Sequence, residues 1–470
     1  MDLILLFGSF VIIIFSIFLF KQEKELPALI SLVFGGLGLR LFSALDPFLH
    51  NWDERYHALV AKNLMNHPLV PTLYDTPLLN HDLSWVGSHV WLHKQPLTLW
   101  LISGSYSIFG IGDFQTRIPS IILSTFSIYL VYSIGKTLYN KNVAFVASFL
   151  LAINGLLIEL TAGRIATDHV DVFFMFFTLS GIYLIVKNQR LNHLFVGALI
   201  GVSVGLAILT KWLPALIIFP MWLSLNLTKP KFRKILFPFL IGVLICCLTF
   251  LPWQYYIFSE FPLEAQTASD FNWRHFTEAL EDMGGPWYFF INKIRINYGE
   301  WIYIPLVWLL FKLTIKGLDQ SKNFFLAIWI FIPLIFFSIP ITKMQGYLLF
   351  TAPAYFLLTG LFIDYLFKLN SSKRNQFFKY SFSILVIILS LRYSIERIKP
   401  FKERAVPEWK QTILELKDKH PTTDKMVIFN CDNYIECMFY TNFVAYDKIP
   451  TQEDLETIKL KGYSYLILNE

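Results

Sequence analysis

The chain has 470 residues, of which 55% are hydrophobic and only 16% are charged, and its mean hydropathy is +0.51. This composition excludes a water-soluble globular domain and predicts a polytopic membrane protein. The net charge of +6 does not indicate nucleic-acid binding, because Lys and Arg gather in short clusters between apolar segments, as is typical of cytoplasmic loops.

About twelve apolar segments approach the length of a membrane helix, since a bilayer core of about 30 Å needs roughly 17 to 25 apolar residues. They are residues 2–20, 27–45, 117–137, 143–160, 170–187, 193–210, 212–227, 235–255, 299–315, 323–341, 346–367 and 377–395. The basic clusters between them all fall on one face, which is predicted to be cytoplasmic. These clusters begin near residues 21, 141, 187, 229, 312 and 371. Both termini and two long loops, residues 46–116 and 257–298, are then expected on the extracytoplasmic side.

Two further segments complete the predicted architecture. The apolar residues 97–112 would invert every later span if they crossed the membrane, so they are predicted to be re-entrant or to lie along the outer surface. After a transmembrane domain of residues 1–396, the composition of residues 397–470 becomes that of a globular domain. Short strands at 426–429, 444–446 and 463–468 alternate there with helical segments. The expected fold class is an all-α polytopic membrane protein with a small extracytoplasmic α/β domain at its C-terminus.

The polar stretch Asp46–Pro96 is the expected place for chemistry, because loops carry function more often than cores do. Asp53 and Glu54, in WDERYHALVAKNLM, are candidates for a general base that takes the proton of an attacking hydroxyl. The alternative is that both are first-turn acids that stabilise a helix dipole. His50, Glu54 and His57 would share one helix face at a spacing that suits zinc or another divalent metal ion, although interfacial histidines are more often only polar surface.

Charged residues at the predicted outer ends of membrane helices also need a role, since charge inside a bilayer costs about 2.5 to 3.5 kcal/mol or more. Lys94, Arg164, Lys211 and Lys343 are candidates for binding the phosphate of a lipid-linked substrate. Asp168 follows Arg164 by one helical turn, so the two are expected to be able to pair. The alternatives are a purely structural Arg164–Asp168 pair and lysines that only extend to the lipid headgroups.

A family resemblance is carried by WDERYHALVAKNLM and HKQPLTLWLISGSYSIFGIGDFQTRIPS, which resemble the first-loop pattern of membrane glycosyltransferases with the GT-C fold. That group includes the protein O-mannosyltransferases and the aminoarabinose transferase of lipid A. Later patterns of the family are similar to GRIATDHVDVFFMFF, LAILTKWLP and SIPITKMQGYLLFTAPAYFLL. The resemblance therefore runs from about Asp46 to Leu358.

The resemblance implies an inverting transferase that uses a polyprenyl-phosphate sugar. Asp53 stands at the position of the family's catalytic acid, with Glu54 beside it, and Lys94 and Asp168 match positions near the donor phosphate. The expected substrate pocket also includes Tyr56, His93 and Tyr347.

The function expected from these features is transfer of a sugar from a polyprenyl-phosphate donor to a lipid, glycan or protein acceptor outside the cytoplasmic (inner) membrane. No cofactor is expected beyond the divalent metal ion considered above. The alternative is a transporter or flippase of lipid-linked sugars, which would also need many spans and a basic cavity. Transporters often contain paired internal repeats and ionisable residues near the middle of the bilayer, whereas the charged candidates here are expected to lie towards one face. A third alternative is an inactive relative that binds a polyprenyl lipid.

Overall fold

The computed structural model describes residues 2–187, 194–226, 233–316, 321–369, 372–401, 404–420 and 425–468. The parts of the basic clusters at residues 188–190, 229–232, 317–320 and 371 lie outside these ranges. The helices are α1 Asp2–Lys21, α2 Glu25–Ser43, α3 Asp53–Asn63, α4 Pro96–Phe109, α5 Asp113–Leu138, α6 Lys141–Ala152, α7 Gly155–Thr161, α8 Asp168–Lys187, α9 Leu194–Lys211, α10 Ile218–Ser224, α11 Arg233–Glu260, α12 Pro262–Thr277, α13 Phe289–Tyr298, α14 Tyr303–Lys316, α15 Ser321–Ser338, α16 Ala352–Lys368, α17 Lys373–Ile398, α18 Glu408–Lys419, α19 Tyr434–Tyr440 and α20 Gln452–Leu460. The strands are β1 Met426–Phe429, β2 Val444–Ala445 and β3 Ser464–Ile467.

The described residues contain nine helices that are long and apolar enough to cross a membrane, or ten if the bent pair α6 and α7 forms one span. The predicted multi-pass architecture is confirmed, and nine or ten of the about twelve predicted spans meet this criterion within the described residues. Two of the predicted spans are short: Leu213–Ser224 combines a 3₁₀ turn with α10, and α14 has only 14 residues. A hydropathy pattern does not register such turns, which interrupt an apolar segment without adding polar residues.

The apolar segment after the polar loop forms α4, which packs against α3 and α5. Its 14 residues span about 21 Å, which is too short for a bilayer core of about 30 Å. Pro96 occupies the first turn of α4, where a missing N–H costs nothing. The helix ends at Gly110, whose φ of +83° is in the region that favours glycine.

The C-terminal residues form a three-stranded parallel sheet in the order β2-β1-β3. The central strand β1 is buried along its whole length, and α19 packs on the sheet beside it. The predicted small α/β unit is therefore confirmed as part of the fold class. It does not stand apart, because α19 and α3 belong to one hydrophobic core, in which Leu59 and Ile435 are both buried.

Candidate active site

The first residue of α3 places a carboxylate at the junction of the polar loop and the membrane helices. Asp53 Oδ2 accepts hydrogen bonds from Lys94 Nζ at 3.2 Å and from the backbone N–H of Thr167 at 2.7 Å. The backbones of Trp52 and Thr167 both have positive φ, 74° and 69°, an uncommon conformation for such residues that is often found at functional sites. These two turns place the Asp53 carboxylate within hydrogen-bond distance of the Thr167 amide.

The Asp53 carboxylate is held in its ionised form. Burial acts to raise its pKa, but the charges of Lys94 and His57 and the hydrogen bond from Thr167 outweigh burial, so the pKa is lowered. The side chain keeps 12% of its surface exposed. Both of these hydrogen bonds fall on Oδ2.

Glu54 points the opposite way and forms a buried ion pair with Arg117 of α5. The distances are 2.7 Å from Nε to Oε1 and 3.0 Å from Nη2 to Oε2, and both side chains are fully buried. Burial opposes ionisation of Glu54, but Arg117, His169 and His50 hold its pKa well below the usual value. With its two oxygens occupied, Glu54 is placed as an anchor of α3 and is not presented to a substrate.

Arg117 also organises the start of the polar loop, since it donates to the backbone carbonyls of Ala44, Asp46 and Phe48. Arg117 is not among the site residues predicted from the sequence. Its signal was present in DFQTRIPS, where an arginine stands inside an apolar helix and is followed by further apolar residues.

Asp168, the first residue of α8, pairs with His57 of α3 at 3.1 Å, and both side chains are fully buried. The expected Arg164–Asp168 pair is wrong. Arg164 Nε instead donates to Asp46 at 2.9 Å, and its other nitrogens reach the carbonyls of Ser43 and Lys399. The reason is that α8 begins only at Asp168, so the helical spacing assumed for the pair does not apply. Arg164 thus joins the ends of α2 and α17 to the loop.

A second ammonium group faces the site from the end of α9. Lys211 Nζ donates to Asp171 of α8 and lies 4.3 Å from the ring centroid of Tyr347. Asp171 lies close to Thr167, since a Cβ on Gly346 would be within 2.6 Å of both side chains, and Thr167 in turn binds Asp53 through its backbone N–H. Gly346 makes room for Asp171, because a Cβ at that position would lie 2.6 Å from its Oδ2. Asp171 is also absent from the site residues predicted from the sequence, although an acid inside the apolar segment TDHVDVFFMFF indicates a buried role.

Lys343 lies in the turn that follows α15, and its side chain is only 4% exposed. Its Nζ donates a hydrogen bond to the backbone carbonyl of Pro340, and its backbone N–H donates to the carbonyl of Met283 at 2.7 Å. The turn is therefore tied to the second long loop, and among the described residues no carboxylate pairs with the Lys343 ammonium.

Tyr56 and His93 belong to an aromatic cluster beside Lys94. Tyr56 is parallel to Trp91 at a centroid distance of 6.3 Å, and His93 lies 5.2 Å from Trp85. Burial lowers the pKa of His93 to about 4, so this imidazole is neutral at physiological pH. The Lys94 ammonium lies 4.8 Å from the centroid of the Trp85 ring. The cluster thus holds the Lys94 side chain through its contact with Trp85. Tyr56 is part of the core that the loop shares with the C-terminal unit.

The expected metal set does not come together. His50 lies 3.1 Å from Asp46, Glu54 is held by Arg117, and His57 pairs with Asp168. Within the described ranges there is no group of three His, Cys, Asp or Glu residues placed to hold a metal ion. The spacing assumed a continuous helix, whereas α3 begins at Asp53 and His50 precedes it.

Solved structures with the same arrangement of helices identify the fold. ArnT from Cupriavidus metallidurans bound to undecaprenyl phosphate superposes with a TM-score of 0.66 and 14% identity, covering 93% of this chain and 89% of that one. The archaeal oligosaccharyltransferase AglB from Archaeoglobus fulgidus gives a TM-score of 0.65 and 13% identity, covering 91% of this chain and 65% of that one. The chain is therefore a multi-pass membrane protein with the GT-C fold, and the resemblance noted in the first loop is confirmed.

Sequence comparisons point to the same group. Residues 93–256 match the family described as Dolichyl-phosphate-mannose-protein mannosyltransferase. An undecaprenyl phosphate-alpha-4-amino-4-deoxy-L-arabinose arabinosyl transferase of Pseudomonas fluorescens is 26% identical over 283 residues, which are 57% of this chain and 48% of that protein. A transferase of the same name from Proteus mirabilis is 22% identical over 352 residues, covering 71% of this chain and 62% of that protein. The matched region spans about half the length of the first of these relatives.

Proposed function

We propose that the chain is an integral-membrane inverting glycosyltransferase that moves a sugar from a polyprenyl-phosphate donor to a lipid, glycan or protein acceptor. The observation that carries the proposal is the Asp53 carboxylate, which is ionised, partly exposed and held between the Lys94 ammonium and the Thr167 amide. A second ammonium, Lys211, is linked to the same site through Asp171 and Thr167. A base beside two cations suits a reaction that deprotonates a nucleophile and releases a phosphate.

The proposed step is a single displacement at the anomeric carbon of the donor sugar. The acceptor hydroxyl loses its proton to Asp53 Oδ1 while its oxygen bonds to the anomeric carbon, and the bond from that carbon to the phosphate oxygen breaks. The electron pair of the broken bond leaves with the polyprenyl phosphate. Lys94 and Lys211 stabilise the negative charge that develops there, and the site's burial strengthens both interactions.

The names of related proteins support this assignment over transport. The curated relatives are named as transferases of a sugar from undecaprenyl phosphate, and the structure of ArnT contains undecaprenyl phosphate. None of the proteins reported above is named as a transporter or flippase. The proposed location is the cytoplasmic (inner) membrane, with the site and the C-terminal unit on the extracytoplasmic side, as the basic clusters predict.

The proposed roles of the other predicted residues differ with their geometry. Asp168 would position α3 through His57, and Glu54 would do so through Arg117. Tyr347 would line the pocket beside Lys211. We also propose that the chain divides into a transmembrane domain of residues 1–396 and a C-terminal unit of residues 397–470.

The test compares Asp53→Asn with a matched control, Asp75→Asn, in the same loop. Asp75 is 43% exposed, and its ion pair with His67 is long at 4.0 Å, so loss of the Asp75 charge should leave activity unchanged. Purified protein is incubated with radiolabelled polyprenyl-phosphate sugars and a membrane lipid extract as acceptor source, and release of the carrier lipid is measured. Loss of the base should lower the rate by about 10²- to 10⁴-fold. Full activity of Asp53→Asn in folded protein would refute the assignment.

A second variant tests the donor side of the proposal. Lys94→Met should weaken the use of donor, because it removes an ammonium from the proposed phosphate position, and the donor KM should rise. Lys419→Met is the control, since Lys419 is 68% exposed in the C-terminal unit. An unchanged donor KM and kcat in Lys94→Met would remove Lys94 from the phosphate site.

A further inference from the structure

An open cavity of about 460 Å³ is lined by Tyr139 and by residues of α14, α15 and α16. α15 begins beside it at Ser321 and ends at Ser338, next to the candidate active site, where Phe337 contacts Tyr347. The 18 residues of α15 span about 27 Å, close to the thickness of a bilayer core. The cavity and the candidate active site therefore lie at opposite ends of a helix that is long and apolar enough to cross a membrane.

The charged residues that line this cavity are mostly basic. Lys312, Lys322 and Lys368 face a single acid, Asp364. Asp364 pairs with Lys368 at 2.6 Å, and no carboxylate of the described residues pairs with Lys312 or Lys322. Since an ammonium has three donors, and Lys322 gives one to the carbonyl of Leu138, both lysines can still bind an anion.

Aromatic side chains form the walls of the cavity and hold the two lysines. Lys312 Nζ lies 5.2 Å from the ring centroid of Trp308 and 5.1 Å from that of Tyr365, and these two rings are 5.3 Å apart. Tyr139 donates a hydrogen bond to the backbone carbonyl of Lys322 at 3.2 Å. Lysines that only extend into water make no such aromatic contacts. Trp and Tyr are enriched at the headgroup level of membranes, so their presence here is consistent with a site for a lipid headgroup.

The surface beside the cavity is apolar and exposed. On α14, Val307, Phe311 and Ile315 recur every four residues and are 66%, 61% and 63% exposed. Such a spacing places them on one stripe of the helix, adjacent to the stripe that carries Trp308 and Lys312. A basic cavity next to an apolar stripe matches a molecule with an anionic head and acyl chains.

We propose that this cavity binds an anionic glycerophospholipid from the leaflet opposite the candidate active site, with the phosphate at Lys312 and Lys322 and the acyl chains along α14. Basic pockets between transmembrane helices are a known mode of anionic-lipid binding. The proposal does not depend on the proposed glycosyl transfer. A free phosphate ion would share the ammonium contacts but would gain nothing from the apolar stripe.

The test measures lipid retention by native mass spectrometry of the full chain in detergent, with added phosphatidylglycerol or phosphatidylcholine. The wild type should retain phosphatidylglycerol in preference to phosphatidylcholine. Lys312→Gln with Lys322→Gln should weaken retention by about five-fold for each lysine and about 30-fold together. Lys312→Arg with Lys322→Arg keeps both charges and should retain the lipid, which separates loss of binding from loss of folding.

The matched control is Lys21→Gln with Lys24→Gln, in the turn between α1 and α2. That turn lies at the same end of the helix bundle as the cavity. Glu23 pairs with Lys141 and Glu25 pairs with Lys136, and these two lysines flank Tyr139, which lines the cavity. An equal loss of phosphatidylglycerol from the control would show a general effect of leaflet charge and overturn the proposal. Displacement of the lipid by millimolar inorganic phosphate would also overturn it, in favour of a site for free anions.

Discussion

Replacing Arg117 by methionine should destabilise the protein by about 3 to 5 kcal/mol, the cost of leaving one member of a buried ion pair without its partner. The size of the effect follows from the geometry. Arg117 and Glu54 are both fully buried and share two hydrogen bonds of 2.7 and 3.0 Å. Arg117 also binds three loop carbonyls, each worth about 1 kcal/mol when the bond is lost.

The coupling between the two charges is measured with a double-mutant cycle. Glu54→Gln removes the buried charge, so Arg117→Met should cost less in that background than in the wild type. The expected interaction energy lies towards the upper end of the range of about 0.5 to 3 kcal/mol found for contacting residues. The assay is unfolding of the purified protein in mixed detergent micelles, followed by circular dichroism.

An exposed pair of the same residue types serves as the control. Arg274, in the last turn of α12, and Glu278, the residue that follows this helix, are 53% and 47% exposed, and their removal should change stability little. If the effects of Glu54→Gln and Arg117→Met simply add, or if they are no larger than those of the control pair, the buried pair does not anchor α3 as described.

Three further predictions concern the loop and its contacts. Gly163→Ala should lower the apparent Tm more than Gly110→Ala: both glycines have positive φ, but only at Gly163 would the new Cβ meet a carboxylate oxygen, at 2.3 Å, and equal losses would contradict this reading. Burial opposes ionisation of Asp46, but its basic neighbours lower its pKa to about 2, so its stabilising effect should be present above pH about 4 and be lost as the pH falls towards 2. The stability difference between wild type and Asp46→Asn should shrink over that interval, and a difference that is constant down to pH 2 would be inconsistent. Lys62→Met should make the C-terminal unit sensitive to protease, because Lys62 Nζ binds three carbonyls at the end of α19 at 2.6 to 3.0 Å; resistance equal to that of Lys419→Met would argue against this contact.

Local patterns predicted much of the architecture. The strand at 426–429 matches β1, and the other two strands were placed within one residue at each end, because alternating apolar segments and turn residues act over short distances. The helical segments were also found. Within the described residues, nine or ten of them are long and apolar enough to cross a membrane, since hydropathy does not show where an apolar segment bends or is interrupted by a 3₁₀ turn.

The partners of individual charges could not be predicted in the same way. Arg164 was paired with Asp168 from their spacing, yet its partner is Asp46, 118 residues away. Glu54 and Arg117 are 63 residues apart, and their pairing depends on how α5 packs against the loop. Sequence spacing carries information about neighbours on one helix, whereas these contacts are set by tertiary packing.

The core shared by α3 and α19 has a consequence for the synthesis of the protein. α3 begins at residue 53, but its packing partner follows residue 433, so the loop must remain without that partner until about 380 further residues have been made. Contacts so distant in sequence are slow to form. Truncation of the last 45 residues should therefore leave membrane insertion intact while exposing apolar loop surface to chaperones and proteases, and biogenesis of this protein should be limited by a late docking event at its membrane surface.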